Sequence, residues 1–388
     1  MSTILPATSS PREDGLTRTM CWSTFIMEVA FAQVRGAMTQ RDEIRTVLCP
    51  ATDSHPRHTE ASILPFDDGR LLLAWSDFYA DDWRDDAPAR ISAKWSRDEG
   101  ESWLSPFVLQ ENIGRMNCMQ ASFLRQPNGR ILFAFFRKDR SGELLLPMVR
   151  WSDDNATSWS APFQMTDEDA YWCGTNDRLV LLSSGRILFP VVRYRNGEAP
   201  VVTCFLSDNG GLLWRQSRKG IVAPVGRGYA EPCVAECADG KLLMHIRTDF
   251  GNQHVAISED GGDVWQMRKN RPPDMCGHPD SGPDSAESPC IVKRIPDTDA
   301  LLMIWNNNRV RTPLTAAVSD DNGETWKNFR ILEEMDSWPP RRTHTYPSLS
   351  FLRGNAHITY WEVPAFFPDR PVRFSLVYRR IPIDWLFG

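Results

Sequence analysis

The chain has 388 residues, 41% of them hydrophobic and 24% charged, with a formal net charge of -6 at pH 7. It can bury a large core, and with its basic residues scattered it excludes charge-driven binding of nucleic acid or an anionic membrane. The 24 glycines, 28 prolines and 15 tryptophans occur without a long helical pattern, which points to an all-β protein.

Residues 1–42 read as an N-terminal extension, either a short helix or disordered. Its apolar run MCWSTFIMEVAFAQV (20–34) resembles the middle of a signal peptide, but Glu28 interrupts it, and Glu13, Asp14 and Arg18 flank it. A cytoplasmic protein is therefore expected, with secretion left open. No stretch is apolar for long enough to span a bilayer. The nine cysteines lack C-x-x-C pairing and read as buried reduced thiols. Neither a cofactor nor a metal is expected, since the His and Cys spacings carry no ligand pattern.

Residues 43–388 read as one domain built from a repeated unit. After a candidate strand at Glu43 to Cys49, six strand openings follow: TEASILPFDDGRLLLAW, MQASFLRQPNGRILFAF, TNDRLVLLSSGRILFPV, AEPCVAECADGKLLMHI, ESPCIVKRIPDTDALLMIW and TYPSLSFLRGNAHITYW. Each predicts a strand, a turn usually carrying Gly, and a second strand of buried aliphatic type. In the first five units a third strand leads into a box of the form S-x-D-x-G-x-x-W, beginning at Ser96, Ser152, Ser207, Ser258 and Ser319 and spaced 56, 55, 51 and 61 residues apart. Ser and Asp tie down a tight turn, Gly permits its positive φ, and Trp packs beneath, so the box is a folding device. The sixth unit lacks a box. Its third strand is expected at Phe374 to Ile381, with Glu43 to Cys49 as the missing outer strand that closes a ring. Six such units predict a six-bladed β-propeller.

In such a fold the first strand of each unit lies nearest the axis. Glu60, Gln120, Asn176, Glu231, Ser288 and Tyr346 then form a ring around one mouth, polar residues in strands that turn apolar at once. Convergent polar groups in a concavity suggest a binding site.

The five boxes and six-unit layout resemble the sialidase (neuraminidase) superfamily of BNR/Asp-box propellers, over nearly the whole chain after the extension. The resemblance implies an exo-glycoside hydrolase acting on a glycan or glycoside. By position it implies Tyr346 as nucleophile, Glu231 as its partner, Asp85 as acid/base, and Arg247 and Arg311 as carboxylate-binding arginines. Arg57-His58-Thr59-Glu60-Ala61 stands where the superfamily has an Arg-Ile-Pro stretch supplying its first arginine. That implies a divergent branch lacking this arginine, with a terminal acidic sugar as substrate and sialic acid left open. Arg57 turning inward, or Arg193, are candidates to replace the lost charge.

The chemistry of these residue types stands independently. A phenol has a pKa of about 10, so Tyr346 needs a carboxylate such as Glu231 to take its proton. Two other functions remain open. His58 and His344 lie two residues before Glu60 and Tyr346, and a His and a Tyr at one mouth would suit a lyase acting on a uronate-containing polysaccharide. A glycan-binding propeller without turnover would use Glu60, Gln120 and Asn176 as ligand contacts.

Overall fold

The computed structural model describes residues 43–223, 228–268, 281–364 and 372–388. The predicted extension, 1–42, lies outside the described residues. Thr39–Gly388 is one compact unit.

The described residues are almost entirely β, in five sheets arranged like a propeller. The first sheet pairs Arg57–Pro65, Leu71–Phe78, Ala89–Ser96 and Phe107–Gln110 in sequence order. A ten-stranded sheet contains the second and third predicted units, joined through the parallel pair Tyr171↔Leu145. Its second half is built around Ile187–Tyr194 and Val201–Ser207. The fourth unit pairs Tyr229–Glu236, Leu242–Thr248 and Asn252–Ser258, and the fifth is a four-stranded sheet from Ile291–Arg294 to Lys327–Glu333.

The last sheet runs Ile44–Cys49, Ser375–Pro382, Asn355–Pro364, Arg342–Leu352. Its outer strand therefore comes from the opposite end of the sequence, with Ile44 opposite Arg380 and Val47 opposite Val377. Glu43 pairs with Arg379, and Arg45 reaches Glu333 at 2.5 Å and Glu362 at 3.1 Å. An edge that would otherwise expose unpaired backbone groups is thereby covered.

The second strand of each unit is buried on both faces, as its aliphatic sequence requires. Leu71, Leu72 and Leu73 are fully buried, as are Phe133, Phe135 and Phe136 and Leu301 to Ile304. Trp172, Phe189 and Phe205 share one core cluster with the three phenylalanines. The described cysteines are free thiols, all buried except half-buried Cys173.

The boxes fold as the sequence predicts. In all five the Ser hydroxyl donates to the Asp side chain, or to Asn209 in the third, at 2.7 to 3.0 Å. The same hydroxyl accepts the backbone N–H four residues on at 2.8 to 3.0 Å. That fourth residue has φ between 65° and 89°, which explains Gly at Gly100, Gly211, Gly262 and Gly323. Ala156 holds the same conformation at a cost of about 1 kcal/mol. No box residue lines the cavity described next.

Candidate functional site

Four inner strands share one irregularity. Their pairing with the next strand skips two residues, after Thr59, Met119, Ala230 and Thr345. The first skipped residue has a left-handed backbone in each case: Glu60 (φ 45°), Gln120 (66°), Glu231 (43°) and Tyr346 (59°). A bulge re-aims side chains, and left-handed backbone at Glu, Gln and Tyr costs energy that surrounding structure must offset. Such strain gathers at functional sites. All four residues line one cavity of about 900 Å³, together with Arg57, Asp85, Arg247 and Arg311.

At one end Tyr346 donates its hydroxyl to Glu231 Oε1 at 2.8 Å. Arg247 pairs with Glu231, donates to the Tyr346 hydroxyl at 3.1 Å, and reaches Glu287 at 3.0 Å. Burial raises the Tyr346 pKa above its ordinary value, and the Glu231 carboxylate raises it further against the opposing pull of Arg247 and Arg311. The phenol therefore holds its proton, with a carboxylate placed to receive it. Trp361 stacks on the Tyr346 ring at 5.4 Å, and the Arg311 guanidinium lies 5.7 Å from both ring centres. Arg311 also donates to the Glu287 carbonyl at 2.9 Å.

At the other end Arg57 turns inward, a placement that ideal strand alternation does not give. It is 8% exposed and donates to Thr59 (3.0 Å), Glu60 (2.7 Å) and Asp85 (2.5 Å). The bulge at Glu60 brings residues 57, 59 and 60 into one hydrogen-bonded group, with Thr59 donating to Glu60 at 2.5 Å. A cation thus sits in the first unit after all, but it is neutralised where it stands. The Asp85 side chain is 71% exposed, and its carbonyl is held by Asn117 (2.9 Å) and Lys138 (3.1 Å). Lys138 also pairs with Asp86 at 2.5 Å.

Four other predicted site residues do not line the cavity. His58 faces away, accepting a hydrogen bond at Nδ1 from the Trp75 indole at 3.0 Å. It follows Arg57 in a paired strand, so its side chain takes the opposite face. His344 donates to Glu362 at 3.0 Å and packs edge-on against Tyr360. The lyase reading thereby loses both of its histidines. Asn176 is fully buried and donates to the Ala61 carbonyl at 2.6 Å, a link between units. Arg193 is held by Glu168 (3.3 Å) and Glu198 (2.7 Å), and its neighbour Arg195 lines the cavity instead. The spacing of the sequence did not single out Lys138, Arg195, Glu198, Tyr171, Trp361 or Phe374, which also line it. The aromatic residues carried the only legible signal, an apolar ring at a loop or strand end.

Two of the buried histidines, His58 and His357, make stability pH-dependent. Burial pushes both down to about 4, for His58 against the pull of Asp77 and for His357 with the help of Arg380. The folded pKa lies below the unfolded value of about 6.5, so below that pH the unfolded state binds the extra protons. Stability is fully present above pH 6.5 and is lost as pH falls toward 4, on the order of 3 kcal/mol for each histidine. Urea midpoints measured from pH 7 to pH 4 should fall, and His357→Gln should flatten the slope. Midpoints level across that range would contradict the buried neutral state.

Residues 147–358 match the BNR repeat-like domain family. A sialidase from Paraclostridium sordellii is 24% identical over 228 residues, covering 50% of this chain and 54% of that protein. The alignment thus spans about half of that relative's length. Among solved structures, a protein of unknown function from Dyadobacter fermentans superposes with a TM-score of 0.66 at 17% identity, over 88% of this chain and 99% of that one. Trypanosoma rangeli sialidase superposes with a TM-score of 0.66 at 17% identity, over 90% of this chain and 61% of that one. At such identities the likeness is one of fold.

Proposed function

Because the chain belongs to the BNR repeat-like domain family, we propose that it is a six-bladed, sialidase-like exo-glycoside hydrolase that removes a terminal sugar from a glycan or glycoside. The observation that carries this reading is the Tyr346, Glu231 and Arg247 triangle in the wall of the cavity.

In the proposed first step the Tyr346 oxygen attacks the anomeric carbon while its proton passes to Glu231. The bond to the leaving oxygen breaks, and Asp85 gives that oxygen a proton. In the second step Asp85 takes a proton from water, and the water oxygen attacks the anomeric carbon. The bond to Tyr346 breaks, and Glu231 returns the proton to the phenolate. Two displacements retain the anomeric configuration, and a tyrosine nucleophile is a known exception to the two-carboxylate scheme. Arg247 orients Glu231 through a charge-assisted hydrogen bond.

A panel of 4-nitrophenyl glycosides and acidic polysaccharides tests the reading. The expected result is release of nitrophenol from at least one glycoside, with retained configuration by NMR and no unsaturated product absorbing in the ultraviolet. An unsaturated product would establish a lyase. Binding without turnover of any substrate would leave a lectin-like propeller.

A further inference from the structure

Tyr171, Tyr194 and Tyr346 line the cavity, and their hydroxyls are engaged differently. Tyr346 donates to Glu231, and Tyr194 donates to the Tyr229 carbonyl. The Tyr171 hydroxyl makes no hydrogen bond among the described residues. The residue is half-buried, and its hydroxyl is not closed off from solvent. An open phenol in a concave wall both donates to and accepts from a ligand.

The short strand Tyr171–Cys173 explains this placement. Alternation turns Tyr171 and Cys173 to the cavity and fully buried Trp172 to the core. The strand is held on both sides, with Tyr171 antiparallel to Tyr194 and parallel to Leu145, and both of these partners also line the cavity. The Tyr194 ring meets the Tyr171 ring edge-on at 6.3 Å, and the Lys138 ammonium lies 5.8 Å from its centre. The ring is thereby fixed before any ligand arrives, which lowers the entropy cost of using its hydroxyl. Burial raises the Tyr171 pKa above its ordinary value, and Cys173, Asp85, Asp86 and Glu231 raise it further, so the phenol stays protonated near neutral pH. Asp85 belongs to the proposed acid/base loop and Glu231 to the nucleophile pair, and the hydroxyl is within electrostatic reach of both.

We propose that Tyr171 is a substrate-binding, specificity-determining residue, whose open hydroxyl on the wall between the second and third units bonds one hydroxyl group of the sugar. This rests on the reading of the cavity as the substrate site of a glycoside hydrolase, and it adds to that reading a residue outside the proposed chemistry. A sugar hydroxyl is the matching group because it too donates and accepts at once.

Binding measured by NMR titration tests the proposal without requiring turnover. The probes are the methyl glycosides of D-galactose, D-glucose, D-mannose, D-glucuronic acid and N-acetylneuraminic acid. At least one is expected to bind, and Tyr171→Phe should weaken it about tenfold, the loss of one hydrogen bond. The melting temperature should not change, because the hydroxyl bonds nothing in the free protein. Among the monodeoxy analogues of the bound glycoside, one should bind the parent protein and Tyr171→Phe equally, since each change removes one half of the same bond. Binding of no probe overturns the proposal, as does an affinity in Tyr171→Phe within about twofold of the parent's. A tenfold loss that persists with every deoxy analogue overturns it too, as does a lowered melting temperature, which would give the hydroxyl a structural role. If the loss is seen but the 4-nitrophenyl counterpart of the bound glycoside is not hydrolysed, the hydrolase reading fails and the role of Tyr171 in binding stands. If that counterpart is hydrolysed and Tyr171→Phe binds as the parent does, the hydrolase reading stands and the inference fails.

Discussion

Tyr346→Phe should lower kcat on any glycoside the protein hydrolyses by about 10³-fold or more, while sugar affinity changes less than about threefold. The substitution removes one oxygen. The ring remains to stack on Trp361, and Glu231 keeps its ion pair with Arg247. A purely structural tyrosine would show the opposite pattern, a loss of melting temperature with kcat nearly intact. The measurement is therefore kcat, KM and thermal midpoint on the same preparation. Activity above about a tenth of the parent's would remove Tyr346 from the reaction.

The second large effect is expected at a residue that does not line the cavity, Asp177. This residue is 3% exposed and has a left-handed backbone at φ 58°. Its Oδ1 accepts from Ser62 (3.2 Å) and Lys293 (2.8 Å), and its Oδ2 from the Leu349 N–H (2.8 Å). Its own N–H bonds the Ala121 carbonyl at 2.9 Å. One residue of the third predicted unit thus reaches four others, its carboxylate holding the first, fifth and sixth and its backbone N–H the second. Asp177→Ala leaves a buried N–H and a lysine unpaired, and puts alanine in a conformation that Asp and Asn tolerate better. A loss of about 3 to 5 kcal/mol is expected, read as a fall in thermal and denaturant midpoints. Asp177→Asn, which keeps the acceptor and the backbone preference, should lose less. Equal losses in the two variants would show that the acceptor and the backbone preference do not matter there, leaving the lost charge to account for both.

The repeat was legible because its physics is local. A Ser, an Asp and a Gly within five residues make the same turn wherever they occur, and five boxes announce the strands that lead into them. Glu231, Arg247 and Tyr346 were legible for a related reason, since each sits at a fixed offset from a turn or box. Arg57 and His58 were not. Reading their faces requires knowing that pairing slips at Glu60, and no residue type in RHTEAS marks the slip. The third unit shows the same limit, because its left-handed position is Asp177 and Asn176 is the link to Ala61. His344 was placed at the mouth by its nearness to Tyr346, whereas the partner that fixes it, Glu362, stands 18 residues further on.

The pairing of Ile44–Cys49 with Ser375–Pro382 also imposes a timetable on biosynthesis. A ribosome adds roughly 5 to 20 residues each second, so the earlier strand waits on the order of tens of seconds for its partner. Throughout that interval the strand partner that Ile44–Cys49 has in the folded chain does not yet exist, and an unpaired strand is able to pair with another chain. Sealing by the latest-made strand makes completion of the circle a late event, and the charges on the waiting strand and beside it, Arg45 and Glu43, discourage premature partners while it waits.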